Sequence, residues 1–296
     1  MPPAARRGIR MAALGLAVNA VLVIVKITAG LLGNSYALVA DGVESATDVF
    51  ASIIVLRGLA ISTRSADDRF HFGYGKAESI AAALVALMLI GAAAGIAFEA
   101  IRELLTPHDA PAPFTLAVLI VVIIVKELMF RRVISVGGEV GSRALQTDAW
   151  HHRSDAITSG AVFIGISLAV LGGPAWAPAD DWAALFASGM IAVNGVRLLR
   201  PAVADLMDRA PDTAVLERVR ALADAVPGVL AVEKIQARRS GMGFLVSIHV
   251  QAEPGTPLRD AHSLGGRVRS VLRDEGFIID AFVHMEPYER DSGGPV

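Results

Sequence analysis

The chain has 296 residues, of which 54% are hydrophobic and 19% charged, with a formal net charge of −2 and a mean hydropathy of +0.54. A soluble domain is about a quarter charged, so this balance excludes an ordinary soluble globule and points to a membrane protein. The charge balance gives no case for nucleic acid, and none is expected as a partner. With no cysteine in the chain, disulfides and thiolate metal sites are excluded, so any metal must be held by nitrogen and oxygen.

A spanning helix needs about 20 mostly apolar residues, and six stretches qualify. The first covers about Met11 to Leu32, interrupted only by Asn19 and Lys26. The basic residues before it precede an apolar run too long for a signal-peptide core, so the segment is read as mature structure. The second, about Ala37 to Ile61, carries Asp41, Glu44, Asp48 and Arg57. The third, about Ser79 to Ile101, is rich in alanine and leucine. The fourth, about Phe114 to Phe130, has Lys126 and Glu127 near its end. The fifth runs from about Asp148 to Leu171, and the sixth from about Trp182 to Leu199.

Lysine and arginine mark the loops that stay in the cytoplasm. They occur before the first span, between the second and third (Arg64, Arg69, Lys76), between the fourth and fifth (Arg131, Arg132, Arg143) and after the sixth (Arg200, Arg209). The alternate connections are nearly free of them. That alternation predicts a multi-pass protein of the cell (inner) membrane with both termini cytoplasmic.

Beyond Asp208 the pattern changes. Residues 1–208 read as a six-helix transmembrane domain and 209–296 as a soluble one. Val215, Leu216, Val219 and Leu222 predict an amphipathic helix over Thr213 to Ala225. Strands are predicted over Val229 to Ala237, Phe244 to Ala252 and Phe277 to Met285, with a helix over Leu258 to Leu272. This order predicts an α+β domain with its helices on one face of the sheet.

Ionisable residues inside a span are costly and by default mark function. Glu44 and Asp48 stand four residues apart, as do His151 and Asp155. At that spacing two side chains share a helix face, so two facing helices could bring all four to one tetrahedral divalent cation. The plainer readings are a carboxylate pair neutralised by Lys or Arg elsewhere, and a helix start capped by Asp148 with solvated imidazoles. His152 points about 100° from His151 and is the weaker ligand candidate. Asp41, one turn before Glu44, could support the ligands from behind. In the soluble segment, His249, His262 and His284 are candidate ligands, and Glu286 falls two residues after His284, on the same face of a strand.

The runs Asn34–Asp48 (NSYALVADGVESATD), Phe72–Glu78 (FGYGKAE) and Thr147–Asp155 (TDAWHHRSD) resemble the cation diffusion facilitators, in order and over nearly the whole chain. The resemblance implies a polytopic α-helical membrane protein with six transmembrane helices and a C-terminal cytoplasmic α+β domain, ferredoxin-like and metallochaperone-like. It implies a homodimer in a lipid bilayer that exports divalent cations, zinc first among them, in exchange for protons. The metal is substrate and regulator; no prosthetic group and no enzymatic activity are expected. Glu44, Asp48, His151 and Asp155 fall on the family's transport-site positions, with Glu44 where His or Asp is usual. A second family site, in the loop after the second span, is matched only by Asp67. Phe70 and Tyr74 stand at its histidine positions and His71 is shifted by one, so that site is expected to be absent or weak. His249, His262, His284 and Glu286 match the cytoplasmic site, with Glu233 in place of a further histidine. Lys76 and Asp208 match a charge pair that joins the spans at the dimer interface. The rival readings are a metal-ion channel, which needs a continuous hydrated path, and a membrane metallo-enzyme, which needs an open coordination position.

Overall fold

In a computed structural model the chain is described over residues 3–106, 110–140 and 143–289. Within these, the side chains of 3–10, 12, 52, 56, 137, 140, 143–148, 151, 154 and 174 lie outside the description. The chain divides into two compact units, residues 1–54 with 84–199, and residues 55–83 with 200–296.

Six long helices account for the apolar stretches: α1 (Pro3–Leu32), α2 (Tyr36–Ser62), α3 (Lys76–Leu105), α4 (Phe114–Val140), α5 (Arg143–Leu171) and α6 (Ala179–Leu206). Each has at least 27 residues, or about 40 Å of helix, longer than the ~30 Å hydrocarbon core. Among the described residues, α2, α3, α6 and the Ala13–Leu32 part of α1 are long and apolar enough to cross a bilayer by composition. α4 carries Lys126, Glu127 and Arg131, and the described apolar run of α5 is Asp155–Leu171. Large apolar side chains such as Ile24, Leu31, Leu87, Ile124 and Ile164 face outward, as a surface solvated by lipid requires.

The helices run past the predicted spans because a span ends where charge begins, whereas a helix continues into water. α4 passes ten residues beyond Phe130, through Arg131 and Arg132. α5 begins at Arg143, so Asp148 lies inside the helix and is not its N-cap; the capped-start reading of this segment is corrected. α6 runs through Pro201.

In the first unit, small residues let the helices approach. Ala29, Ala37, Leu38, Ala100, Leu119, Val162, Ile166 and Ala184 form one buried cluster, in keeping with the small side chains favoured where membrane helices meet. A Cβ on Gly165 would lie 2.3 Å from Cβ of Ala183, so α5 and α6 touch there only because the residue is glycine. The tight α1–α2 turn places Asn34 at φ 51°. Ser35 then caps α2: its Oγ accepts from the Leu38 amide at 3.2 Å and donates to Asp180 at 2.7 Å. Asp180 also accepts the Ala37 amide at 3.2 Å, setting a carboxylate from the start of α6 on the positive end of α2.

The second unit holds α7 (Thr213–Asp224), β1 (Ala231–Ser240), β2 (Gly243–Ala252), α8 (Leu258–Arg273) and β3 (Ile278–Pro287). The sheet order is β1-β2-β3, with β1 antiparallel and β3 parallel to β2. Val246, Ile248 and Val250, alternate residues of β2, are buried with Val219, Ala223, Leu264, Val268 and Leu272 of the two helices. Full burial of each such Val, Leu or Ile contributes about 1.5–3 kcal/mol. The predicted α+β order, with both helices on one face, is the one observed. His249 and Gln251 alternate with the core residues and fall on the other face of β2. The same unit packs the loop after α2 closely: Gly75 comes so near Ser240 that a Cβ there would lie 2.6 Å from its carbonyl carbon.

Candidate metal centres

Asp41, Glu44, Ser45 and Asp48 lie along one stripe of α2, at the spacing of successive helical turns. Asp41 is buried, while Glu44 and Asp48 are half-buried. Electrostatic interactions link Glu44 with Asp48, Asp41, Asp155 and Lys26, so the acidic stripe of α2 and the acidic residue of α5 share one neighbourhood. The side chain of His151 lies outside the described residues. His152, beside it, is fully buried.

Two lysines enter this neighbourhood from helices not marked by any motif. Lys26 of α1 is 0% exposed and pairs with Asp41 at 2.7 Å. It also donates to Ser45 Oγ at 3.1 Å and Ser159 Oγ at 3.2 Å. Ser159 in turn donates to both carboxylate oxygens of Asp41, at 3.0 and 2.9 Å. Lys126 of α4 is 1% exposed; its Nζ lies 2.5 Å from Asp155 Oδ2 and donates to Asn19 Oδ1 at 2.8 Å. Buried lysines thus pair with Asp41 and Asp155, neither of which belongs to the Glu44–Asp48 pair for which a basic partner was the plainer reading. What sequence reasoning missed was these lysines. The signal was present, since a lone lysine inside an apolar span is costly enough to need a partner.

In the second unit the parallel pairing of β2 with β3 sets His249 opposite His284 and Gln251 opposite Glu286. His249 Nδ1 lies 2.7 Å from Glu286 Oε1, and His284 Nε2 lies 3.4 Å from the same oxygen. One ligand atom from each of these three residues falls within 4.8 Å of the others, an arrangement that could hold a metal ion. Glu233 sits at a bulge where β1 slips against β2 between Val232 and Lys234. Gln251 donates to it at 3.2 Å. A hydrogen bond between Glu233 and Glu286 raises the Glu233 carboxyl above its usual range and lowers that of Glu286, which His249 lowers further. His262 is exposed on α8, a helix packed on the opposite face of the sheet, so a single chain does not bring it to the other three.

The loop after α2 uses Asp67 as a turn former. Its carboxylate accepts the amides of Arg69 and Phe70, each at 2.9 Å, and the Tyr74 hydroxyl at 2.6 Å. The tyrosine bond, then the two amides, hold this carboxyl below its usual range. Among the described residues, no group of three metal-ligating side chains forms around it. Lys76 donates to Asp208, whose other oxygen accepts from Arg238 at 2.8 Å. Those two bonds, Lys76 first, lower the Asp208 carboxyl.

Residues 12–207 match the family model of the cation efflux transmembrane domain, and residues 211–288 that of the cation efflux protein cytoplasmic domain. The chain is 36% identical over 247 residues to magnetosome protein MamB of Magnetospirillum gryphiswaldense, covering 83% of this chain and 82% of that protein. It is 30% identical over 284 residues to the manganese efflux system protein MneP of Bacillus subtilis, covering 94% and 96%. To the cation-efflux pump FieF of Cronobacter sakazakii it is 29% identical over 276 residues, covering 91% and 89%.

Proposed function

The chain belongs to the cation efflux family, the cation diffusion facilitators, and on that premise we propose that it carries divalent metal ions across a membrane by alternating access. The observation that supports this reading is that Glu44 lies within electrostatic reach of Asp48, Asp41 and Asp155 inside a helical unit whose outer surface is apolar. In this reading Glu44, Asp48, His151 and Asp155 are the transport ligands. Metal enters from the cytoplasm and leaves on the far side of the inner membrane. Ligands must be deprotonated to bind metal, so binding expels protons and release takes them up, with His151 the coupling group. Four ligands at one point leave no position for a reacting water, which disfavours an enzyme.

Zinc is the family's common cargo. Three carboxylates with one imidazole are a harder donor set than two histidines would make, and hard oxygen donors suit manganese and iron(II). A relative named for manganese efflux points the same way. Manganese(II) and iron(II) are therefore proposed ahead of zinc. His249, His284 and Glu286 would bind the same ions in the C-terminal domain and stabilise a homodimer by mass action, with His262 joining only across two chains. Lys76 and Asp208, with Arg238, would be a structural charge cluster. Uptake into proteoliposomes across a panel of Mn²⁺, Fe²⁺, Zn²⁺, Co²⁺ and Cd²⁺ with an internal pH dye tests the reading. Saturable divalent uptake with an opposing proton flux is expected; ion flow without saturation would indicate a channel.

A further inference from the structure

Lys126 stands where a carrier of positive ions should least tolerate a fixed positive charge. Its ammonium is buried and bonded to Asp155, one of the four proposed ligands. Lys26 differs in kind: it is enclosed by Asp41, Ser45 and Ser159, none of which is a proposed ligand. Lys126 has two acceptors of unequal sort, the Asp155 carboxylate at 2.5 Å and the neutral Asn19 amide oxygen at 2.8 Å.

A metal bound to Asp155 at about 2.1 Å would stand within about 5 Å of an ammonium still bonded to that carboxylate. In a buried site those charges repel strongly. The formal charges nonetheless favour keeping the ammonium within the site. Asp41, Glu44, Asp48 and Asp155 bring four negative charges and Lys26 and Lys126 two positive, a balance of −2 that one divalent cation cancels. Without Lys126 the balance would be −3, and a divalent ion would leave a net charge buried.

We propose that Lys126 is a tethered counter-cation of the transport site: its ammonium holds Asp155 while the site is empty, moves onto Asn19 when metal arrives, and reclaims Asp155 to expel the metal. This role presupposes the divalent-metal transport proposed above. Lys126 is a positioning residue, acting through Asp155. It weakens binding and speeds release, as a carrier that must let go of its cargo requires.

The test is Mn²⁺ and Zn²⁺ uptake by the full-length chain in proteoliposomes, resolved into KM and kcat, for wild type, Lys126→Met, Lys126→Arg and Asn19→Leu. Lys126→Met is expected to lower KM by about tenfold and to lower kcat, because metal no longer displaces an ammonium and is no longer expelled by one. Lys126→Arg restores both values towards wild type. Asn19→Leu removes the resting place of the ammonium and is expected to raise KM. Damage to the fold would not move KM in opposite directions in two variants that cut the same contact network. An unchanged or raised KM in Lys126→Met overturns the role. If that variant does not reconstitute, Asn19→Leu decides: a raised KM supports the role and an unchanged KM overturns it. No saturable divalent uptake by the wild type would instead overturn the transport reading itself, and this role with it.

Discussion

Lys26 and Asp41 form an ion pair, Nζ to Oδ2 2.7 Å, although their side chains are 0% and 3% exposed. The pair is sustained because its remaining hydrogen-bonding capacity meets Ser45 and Ser159 rather than apolar surface. Removing one partner of a buried pair costs about 3–5 kcal/mol, whereas replacing both by apolar groups can be neutral. Asp41→Ala is therefore expected to lower the melting temperature of the detergent-solubilised protein sharply, and Lys26→Met with Asp41→Leu to recover most of the loss. Equal loss in the single and double variants would mean that the pair is not what fails.

Glu44 is the departure from the usual His or Asp at its position, and as a proposed ligand it would set the hardness of the transport site. Glu44→His would make a two-histidine, two-aspartate site, softer and more suited to zinc. The expected result is a rise in the ratio of zinc to manganese flux in a competition assay. An unchanged ratio would show that residue 44 does not touch the metal.

The C-terminal site should bind metal in the isolated segment from Thr213 to Tyr288. The ligand atoms of His249, His284 and Glu286 already converge in a single chain, so His249→Ala or Glu286→Ala should remove the calorimetric signal for Mn²⁺ or Zn²⁺. His262→Ala should leave binding to the monomer in place and weaken only metal-dependent association seen by sedimentation. Because a protonated imidazole has no lone pair to give, binding should weaken on acidification. No heat at neutral pH in the unaltered segment would contradict this assignment.

Asp280 offers a pH test of the same domain. Arg269 donates to both of its oxygens, at 2.8 and 2.7 Å, and holds the carboxyl below its usual value of 3.8. A carboxyl depressed in the folded state stabilises fully above its unfolded pKa, about 3.9, and loses that contribution as pH falls through the lower folded value. The arginine is half exposed, so the pair is worth about 0.2–1 kcal/mol. Asp280→Asn should thus destabilise the segment by that amount near pH 7. The difference from wild type should shrink below about pH 4. A difference that grows on acidification would reverse the sign and refute the account.

Much of this was legible because it depends on short-range periodicity. Four-residue spacing put Glu44 with Asp48 on one face of α2, and two-residue spacing put His284 with Glu286 on one face of β3. Contacts set by helix–helix packing were not legible. Lys26 looked like an interruption of the first span and Lys126 like the close of the fourth, because nothing local says which carboxylate a buried lysine will meet. Glu233 reaches Glu286 by way of a bulge in β1, and Asp67 is engaged by the turn it makes; neither follows from residue type alone. α5 starts five residues before Asp148, since helix propensity carries a helix beyond the span it serves.

The most direct test of the central claim is divalent-metal counterflow in proteoliposomes for wild type, Asp48→Ala and Asp155→Ala, each shown to be folded and of wild-type oligomeric state. Loss of an outer, supporting contact to a metal typically costs 10–100-fold, and each of these carboxylates is proposed as a ligand in its own right. The account predicts exchange of labelled Mn²⁺ in wild type and a loss of more than about 100-fold in each variant. Wild-type exchange in either variant would contradict the assignment of the transport site.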